Sequence, residues 1–308
     1  MTKILTKSRA ATLRRMKTDW QLYVLFILPF AYFVIFHYYP MYGTIAAFED
    51  YSLIKGFSGS EYVGIENFVK IAQSAYFWPA LKNTLILSFG TILATKPLAV
   101  AFAIMINHVG PRFRKGVQTI TYMPHFISLV VVVGMIRIFL SPTSGVINFI
   151  LGMFGVEPIN FLSTPSMFYG IYIISGLWQN IGWSTIIYIA ALTGISQELH
   201  EAALVDGANL GRRIWHVDLP GILPTVVITT IMDIGKVMAL GFDKVYLMQN
   251  PTNIAVSETI ATLSYRLGML QGEYGFSTAV GLFNSVVNCL LLITVNALSR
   301  RITKESLW

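Results

Sequence analysis

Between Trp20 and Phe48 the chain contains no Asp, Glu, Lys or Arg. In water such a run has no polar face to turn outward. A bilayer accepts it, because a helix of about 20 apolar residues covers the hydrocarbon core. Leu22–Tyr39 reads as the spanning part. Five more stretches of this kind follow. Ala80–Asn107 is interrupted by Lys96 and Pro97, and Val117–Phe139 carries Arg137 near its far end. Ser166–Leu192 and Tyr274–Ser299 are free of charge, while Leu223–Phe242 is the weakest, holding Asp233 and Lys236. Composition agrees: 55% of the chain is hydrophobic and 12% charged, against about 25% charged in a soluble domain. A soluble enzyme and a disordered chain are both excluded. The expected fold class is an all-α polytopic membrane protein with six transmembrane helices.

The first stretch follows a basic tail, as a signal peptide would. It is too long for an h-region and lacks a small-x-small cleavage site, so it reads as a retained helix. The net charge of +7 does not call for nucleic acid, because Lys and Arg gather where cytoplasmic loops belong. The N-terminal tail has Lys3, Lys7, Arg9, Arg14, Arg15 and Lys17; later loops add Arg112, Arg114, Lys115, Arg212 and Arg213; the C-terminal tail adds Arg300, Arg301 and Lys304. The alternate loops hold Lys55, Lys70, Lys244 and Arg266. Both termini are therefore expected in the cytoplasm. The chain divides into a tail (1–19), a first helix with its outer loop (20–79), a membrane core (80–299) and a C-terminal tail (300–308). Short outer helices are expected over Ile65–Ala75, once within Ser141–Pro165, and over Ser257–Leu267. The lone Cys289 offers no intramolecular disulfide and no metal cluster.

The most informative loop is Ser196–Pro224. Ser196 is suited to cap a helix ending near Val205. Asp206-Gly207 is a turn, and Asn209 caps a second helix that Pro220 is expected to close. Leu199, Ala202 and Ala203 line one side of the first helix, and Ile214, Val217 and Leu219 give the second its apolar contacts. A helix lying on the lipid surface is one reading. Glu198, Glu201 and Asp206 speak against it, since anionic headgroups repel them, and an acidic, Ala-lined hairpin suits the docking of a soluble protein.

Glu201-Ala202-Ala203, Asp206-Gly207-Ala208, Leu219-Pro220 and Pro224 resemble the EAA loop of binding-protein-dependent ABC importer permeases. Ile214 stands where that family often has Phe, and Trp215 beside it offers an aromatic in its place. Phe36–Gly43, Tyr122-Met123-Pro124, Leu177–Ser184 and Gly281-Leu282-Phe283 are similar to sugar permeases, most of all those for polysaccharide-derived oligosaccharides in Gram-positive bacteria. The resemblance implies the type I importer permease fold across 80–299. It implies a coupling loop at 196–220, with Glu201, Ala202, Ala203, Asp206, Gly207, Ala208, Ile214, Trp215, Leu219 and Pro220 facing an ATPase. It also implies two ATPase subunits carrying ATP and Mg, a second homologous permease, an extracytoplasmic solute-binding lipoprotein and a sugar cargo, all at the plasma membrane. The chain itself has no phosphate-binding GxxxxGK[ST] sequence, so it is expected not to bind and hydrolyse ATP by that route, and another polypeptide must supply the energy for uphill import.

Ionisable residues within spans default to a pathway reading. Asp233 and Lys236, three apart, either neutralise each other or line a polar cavity. Arg137 sits near a helix end where it can snorkel. Lys96 beside Pro97 reaches either water or a neighbouring helix. Sugar rings favour aromatic faces and amides, which Trp178, Gln179, Asn180, Trp183, Asn284 and Asn288 offer. The Trp residues equally suit interface anchoring, and the Asn residues interhelical bonds. Two rival functions fit some of these residues: an ion-coupled secondary transporter using Asp233, and an intramembrane serine hydrolase using Ser175 and His125.

Overall fold

The structure, a computed structural model, describes residues 18–308. The basic residues Lys3 to Lys17 of the expected cytoplasmic tail lie outside that range. The first helical run, α1, is Trp20–Phe48. It keeps its aromatic and aliphatic side chains outward along almost its whole length; only Ala46 and Ala47 near its end are buried. A two-residue antiparallel pairing, Glu49↔Tyr62 and Asp50↔Glu61, closes the loop after it. Then come α2 (Glu66–Gln73), α3 (Phe77–Asn107), α4 (Pro111–Tyr122), α5 (Leu129–Phe139) and α6 (Val146–Met153). The long α7 (Phe168–Thr193) leads into the short α8 (Gln197–Val205) and the run α9 (Leu210–Ile234). The chain ends with α10 (Phe242–Met248), α11 (Ile260–Tyr265) and α12 (Tyr274–Ile302).

Among the described residues, four helices are long and apolar enough to cross a membrane: α1, α3, α9 and α12. A fifth is counted if α4 and α5 form one broken span. The stretch expected as the fourth span forms α7, a charge-free helix of 26 residues that is not one of these. Its Gln179, Asn180 and hydroxyl side chains keep it out of the most apolar set. The expected third span, Val117–Phe139, is not straight. The helix turns by 97° between Phe126 and Leu129. Pro124 lies in the tight last turn before the bend, and Ile127 and Ser128 are not helical. A broken backbone in a membrane protein must find internal partners. The Gln179 side chain donates to the Ile127 carbonyl at 3.3 Å and supplies one.

Two other sequence expectations shift. The helix that holds the expected fifth span begins at Leu210, inside the hairpin, and stops at Ile234 rather than Phe242. Pro220 does not close the hairpin's second helix. A wide π-helical turn over Ile214–Asp218 carries the helix past it. The same device occurs in α1, where a π turn over Val34–Tyr38 immediately precedes Pro40. A proline has no N–H to give and crowds the carbonyl four residues back. The wider turn absorbs both defects, so the helix bends its hydrogen-bond register instead of ending.

Three apolar clusters follow one another along α3. Phe77 and Ala80 join Ile260, Leu263 and Phe276 at one end. Leu87 packs with Phe168, Tyr172, Val245 and Met248 in the middle. Ala99, Ala103 and Ile104 pack with Tyr188, Leu192 and Ile222 at the other. Against α7, the backbone of α4 comes so close that a Cβ at Gly182 would collide with the Thr121 carbonyl. At the first end, Arg266 grips Glu258 in a two-pronged ion pair of 2.7 and 3.1 Å. Its guanidinium lies 5.1 Å from the Tyr76 ring centre. The Glu258 carboxylate holds the Arg266 proton even more firmly than usual.

Candidate functional site

Two places in this frame concentrate polar chemistry. The first is the hairpin α8–α9. The Ser196 hydroxyl accepts from the Glu198 N–H at 3.3 Å and starts α8. At its end the Gly207 N–H reaches the Leu204 carbonyl, and the Ala208 N–H the Ala203 carbonyl, at 3.0 and 2.8 Å. That pair of bonds requires a left-handed residue between them, and Gly207 takes φ +75°. The Asn209 side chain then accepts from the Arg212 N–H at 2.9 Å and opens α9. Glu201, Ala202, Asp206 and Gly207 are exposed. So are Leu199, Leu204, Val205 and Trp215, with Val205 88% accessible. Ile214 and Leu219 instead face inward against the Ala99–Tyr188 cluster. Pro220 is exposed.

The hairpin is tied to the bundle through Asp218, whose side chain is fully buried. His108 Nε2, beyond the end of α3, lies 2.9 Å from its Oδ2. His200 Nε2, on α8, lies 3.6 Å from its Oδ1. One carboxylate therefore joins its own helix to two other segments of the chain.

The second place is a polar recess between α3, α7 and α9. Two cavities of about 260 Å³ each share Thr95, Ser184 and Asp233 in their walls. Together they fall within the size of ordinary small-molecule sites. Lys96 Nζ lies 2.7 Å from the Asp233 carboxylate and 3.3 Å from the Tyr188 hydroxyl. Tyr188 in turn bonds Thr229 Oγ1 at 2.9 Å. Of the two options for Asp233 and Lys236, cavity lining is the one seen: α9 stops at Ile234, so the two residues do not share a helical face, and both line the recess. Lys96 takes the neighbouring-helix option, while the Arg137 guanidinium donates to the Leu247 carbonyl.

Of the other sequence candidates, Asn180 and Lys236 also line the recess. Asn180 donates to the Gly176 carbonyl at 3.0 Å and bonds His125 Nδ1 at 2.9 Å. Gln179 serves the broken backbone, as described above. Trp183 stacks flat on His125 with ring centres 4.4 Å apart. Trp178 is half-exposed. Asn288 accepts from the Met238 N–H at 3.0 Å and holds the turn after α9. Asn284 Oδ1 is buried without a partner among the described residues. None of these last four lines the recess. The residues that sequence reasoning missed are Thr91, Thr95, Ser184, Tyr188, Thr229 and Lys244. A signal was available for part of this set. Tyr172, Gly176, Asn180, Ser184 and Tyr188 recur every four residues along α7, so each neighbours the next in a stripe that winds slowly round the helix. Ser175 is no nucleophile: its hydroxyl donates to the Ile171 carbonyl of its own helix at 2.5 Å, while His125 is engaged by Asn180 and Trp183.

Residues 99–304 match the family model described as "binding-protein-dependent transport system inner membrane component". The chain belongs to that family. It is a permease, a translocation subunit rather than an enzyme, and the family carries no cofactor of its own. The permease is 39% identical over 288 residues to the polygalacturonan/rhamnogalacturonan transport system permease protein YteP of Bacillus subtilis, covering 93% of this chain and 90% of that one. It is 39% identical over 294 residues to protein LplB of the same organism, covering 95% and 92%. Its fold matches a chain of a bacterial alginate ABC transporter, crystallised with an alginate pentasaccharide-bound periplasmic protein, at a TM-score of 0.87 and 39% identity. That match covers 96% of this permease and 99% of that chain. The ion-coupled alternative is not supported: Asp233 is held by Lys96, and the relatives are ABC transporter subunits.

Proposed function

We propose that this permease forms one half of a heteromeric pore that imports an oligosaccharide released from a polysaccharide. In this reading α1, α3, the α4–α5 pair, α7, α9 and α12 make six spans, with both termini in the cytoplasm of a Gram-positive cell. A second homologous permease supplies the other half. An extracytoplasmic lipoprotein delivers the sugar, and two ATPase subunits, which hold the ATP and Mg, grip the α8–α9 hairpin. The observation that carries the reading is that hairpin: a self-capped, Ala-lined turn whose Leu204, Val205 and Trp215 face outward, more than half exposed among the described residues. Isolated apolar side chains are common on surfaces. Three on one short acidic hairpin suit a protein cleft better than a charged lipid surface. The relatives named for polygalacturonan and alginate support the cargo class.

The test is purification of the chain with its operon neighbours in detergent. An ATPase is expected to co-elute, and Glu201→Lys is expected to release it while the permease pair stays intact. Retention of the ATPase by that variant, with transport unchanged, would remove the hairpin from the coupling role.

A further inference from the structure

Lys244, on α10, is 8% exposed and projects into the recess beside Tyr172, Gly176 and Asn180. Its ammonium donates to the Tyr172 carbonyl at 2.8 Å and stands 4.5 Å from the centre of that ring. An ammonium has three N–H donors, so two remain. No carboxylate pairs with it among the described residues: Asp233, in the same wall, is taken by Lys96. Lys236, at the other end of the recess, is likewise without a counter-ion among the described residues. A buried cation lacking an anion is expensive unless something else supplies the charge. Room has been left for the amine, since a Cβ at Gly176 would sit 3.0 Å from Nζ. Thr95 and Ser184 line the same cavity, and hydroxyl side chains suit a sugar's hydroxyls.

We propose that Lys244 is a specificity-determining residue: its ammonium receives the carboxylate of a uronic-acid unit in the translocated oligosaccharide, with Lys236 as a second positive contact. This rests on the saccharide-import reading and sharpens it to an anionic sugar. The Lys96–Asp233 pair is not a ligand contact in this scheme. It neutralises Asp233, which would otherwise repel the carboxylate.

The experiment uses the assembled transporter in lipid nanodiscs without its receptor. Two probes are titrated by saturation-transfer NMR: trigalacturonate and its fully methyl-esterified, uncharged counterpart. A charge-assisted hydrogen bond is worth about tenfold in affinity, so the wild type is expected to prefer the acid by about that factor. Lys244→Met is expected to bring the ratio to within about twofold, and Lys244→Arg to keep most of it. A general loss of packing would weaken both probes alike, so a ratio unchanged in Lys244→Met overturns the assignment. Equal binding of the two probes to the wild type, or preference for the ester, overturns it while leaving the saccharide reading standing. Binding of neither probe overturns both. Should Lys244→Met fail to assemble, Gly176→Ala crowds the amine without removing its charge. The acid preference is then expected to fall severalfold, and an unchanged preference rejects the role.

Discussion

The hairpin and the recess differ in how they are made. The bonds that cap and turn the hairpin are local: Ser196 to Glu198, Ala203 to Ala208, Asn209 to Arg212. The recess is assembled from Lys96, Tyr188, Thr229 and Asp233, which meet only because α3, α7 and α9 pack together. A local device fails when one residue is wrong for its backbone. A long-range device fails by degrees, as partners are left without one another.

The sharpest way to break this contrast is Gly207→Pro. The fixed φ of about −65° cannot meet the observed +75°, so the turn must open. Transport by the reconstituted complex is expected to drop by more than about tenfold, with the membrane fold retained in circular dichroism. Normal transport would show that the hairpin tolerates a non-local solution.

Asp233→Asn comes next. It strands Lys96, whose side chain is 16% exposed, whereas Lys96→Met strands Asp233, which is 47% exposed. The first change is expected to cost more, on the order of 1–3 kcal/mol after allowing for the wet side of the pair. Thermal unfolding in detergent, read as a double-mutant cycle, gives the coupling. Additive effects would mean the pair is not formed.

Gln179→Leu is a milder test. It leaves the Ile127 carbonyl at the 97° bend without its side-chain donor, at about 1–2 kcal/mol. A drop in midpoint temperature is expected, with the α4–α5 corner the first segment to exchange amide hydrogens. The smallest effect belongs to Ser175→Ala, expected within about 0.5 kcal/mol of wild type, because that hydroxyl bonds only its own helix. A measured loss of transport there would reopen the hydrolase reading.

The same contrast governs what could be read from sequence. Caps and the Gly207 turn are written in consecutive letters, and so are the outlines of α3, α7 and α12, where apolar runs carry the signal. The end of α9 was not legible, because Asp233 and Lys236 look like helical neighbours until the helix stops at Ile234. Nor was the bend after Pro124, since an apolar run reads alike whether straight or broken. Pro220 misled in the opposite sense, because a π turn that rescues a proline leaves no mark in composition. Lys244 looked like one more loop cation. Only the fold brings α10 against Tyr172.

Asp218 sits where the hairpin, the foot of α3 and the start of α9's regular helix converge, with a histidine on either side. A shove on α8 therefore arrives at α3 and α9 through one hub, and those are the two rods whose far stretches bear Lys96 and Asp233. A sliding of one rod past the other at that foot would stretch the 2.9 Å contact between His108 and Asp218.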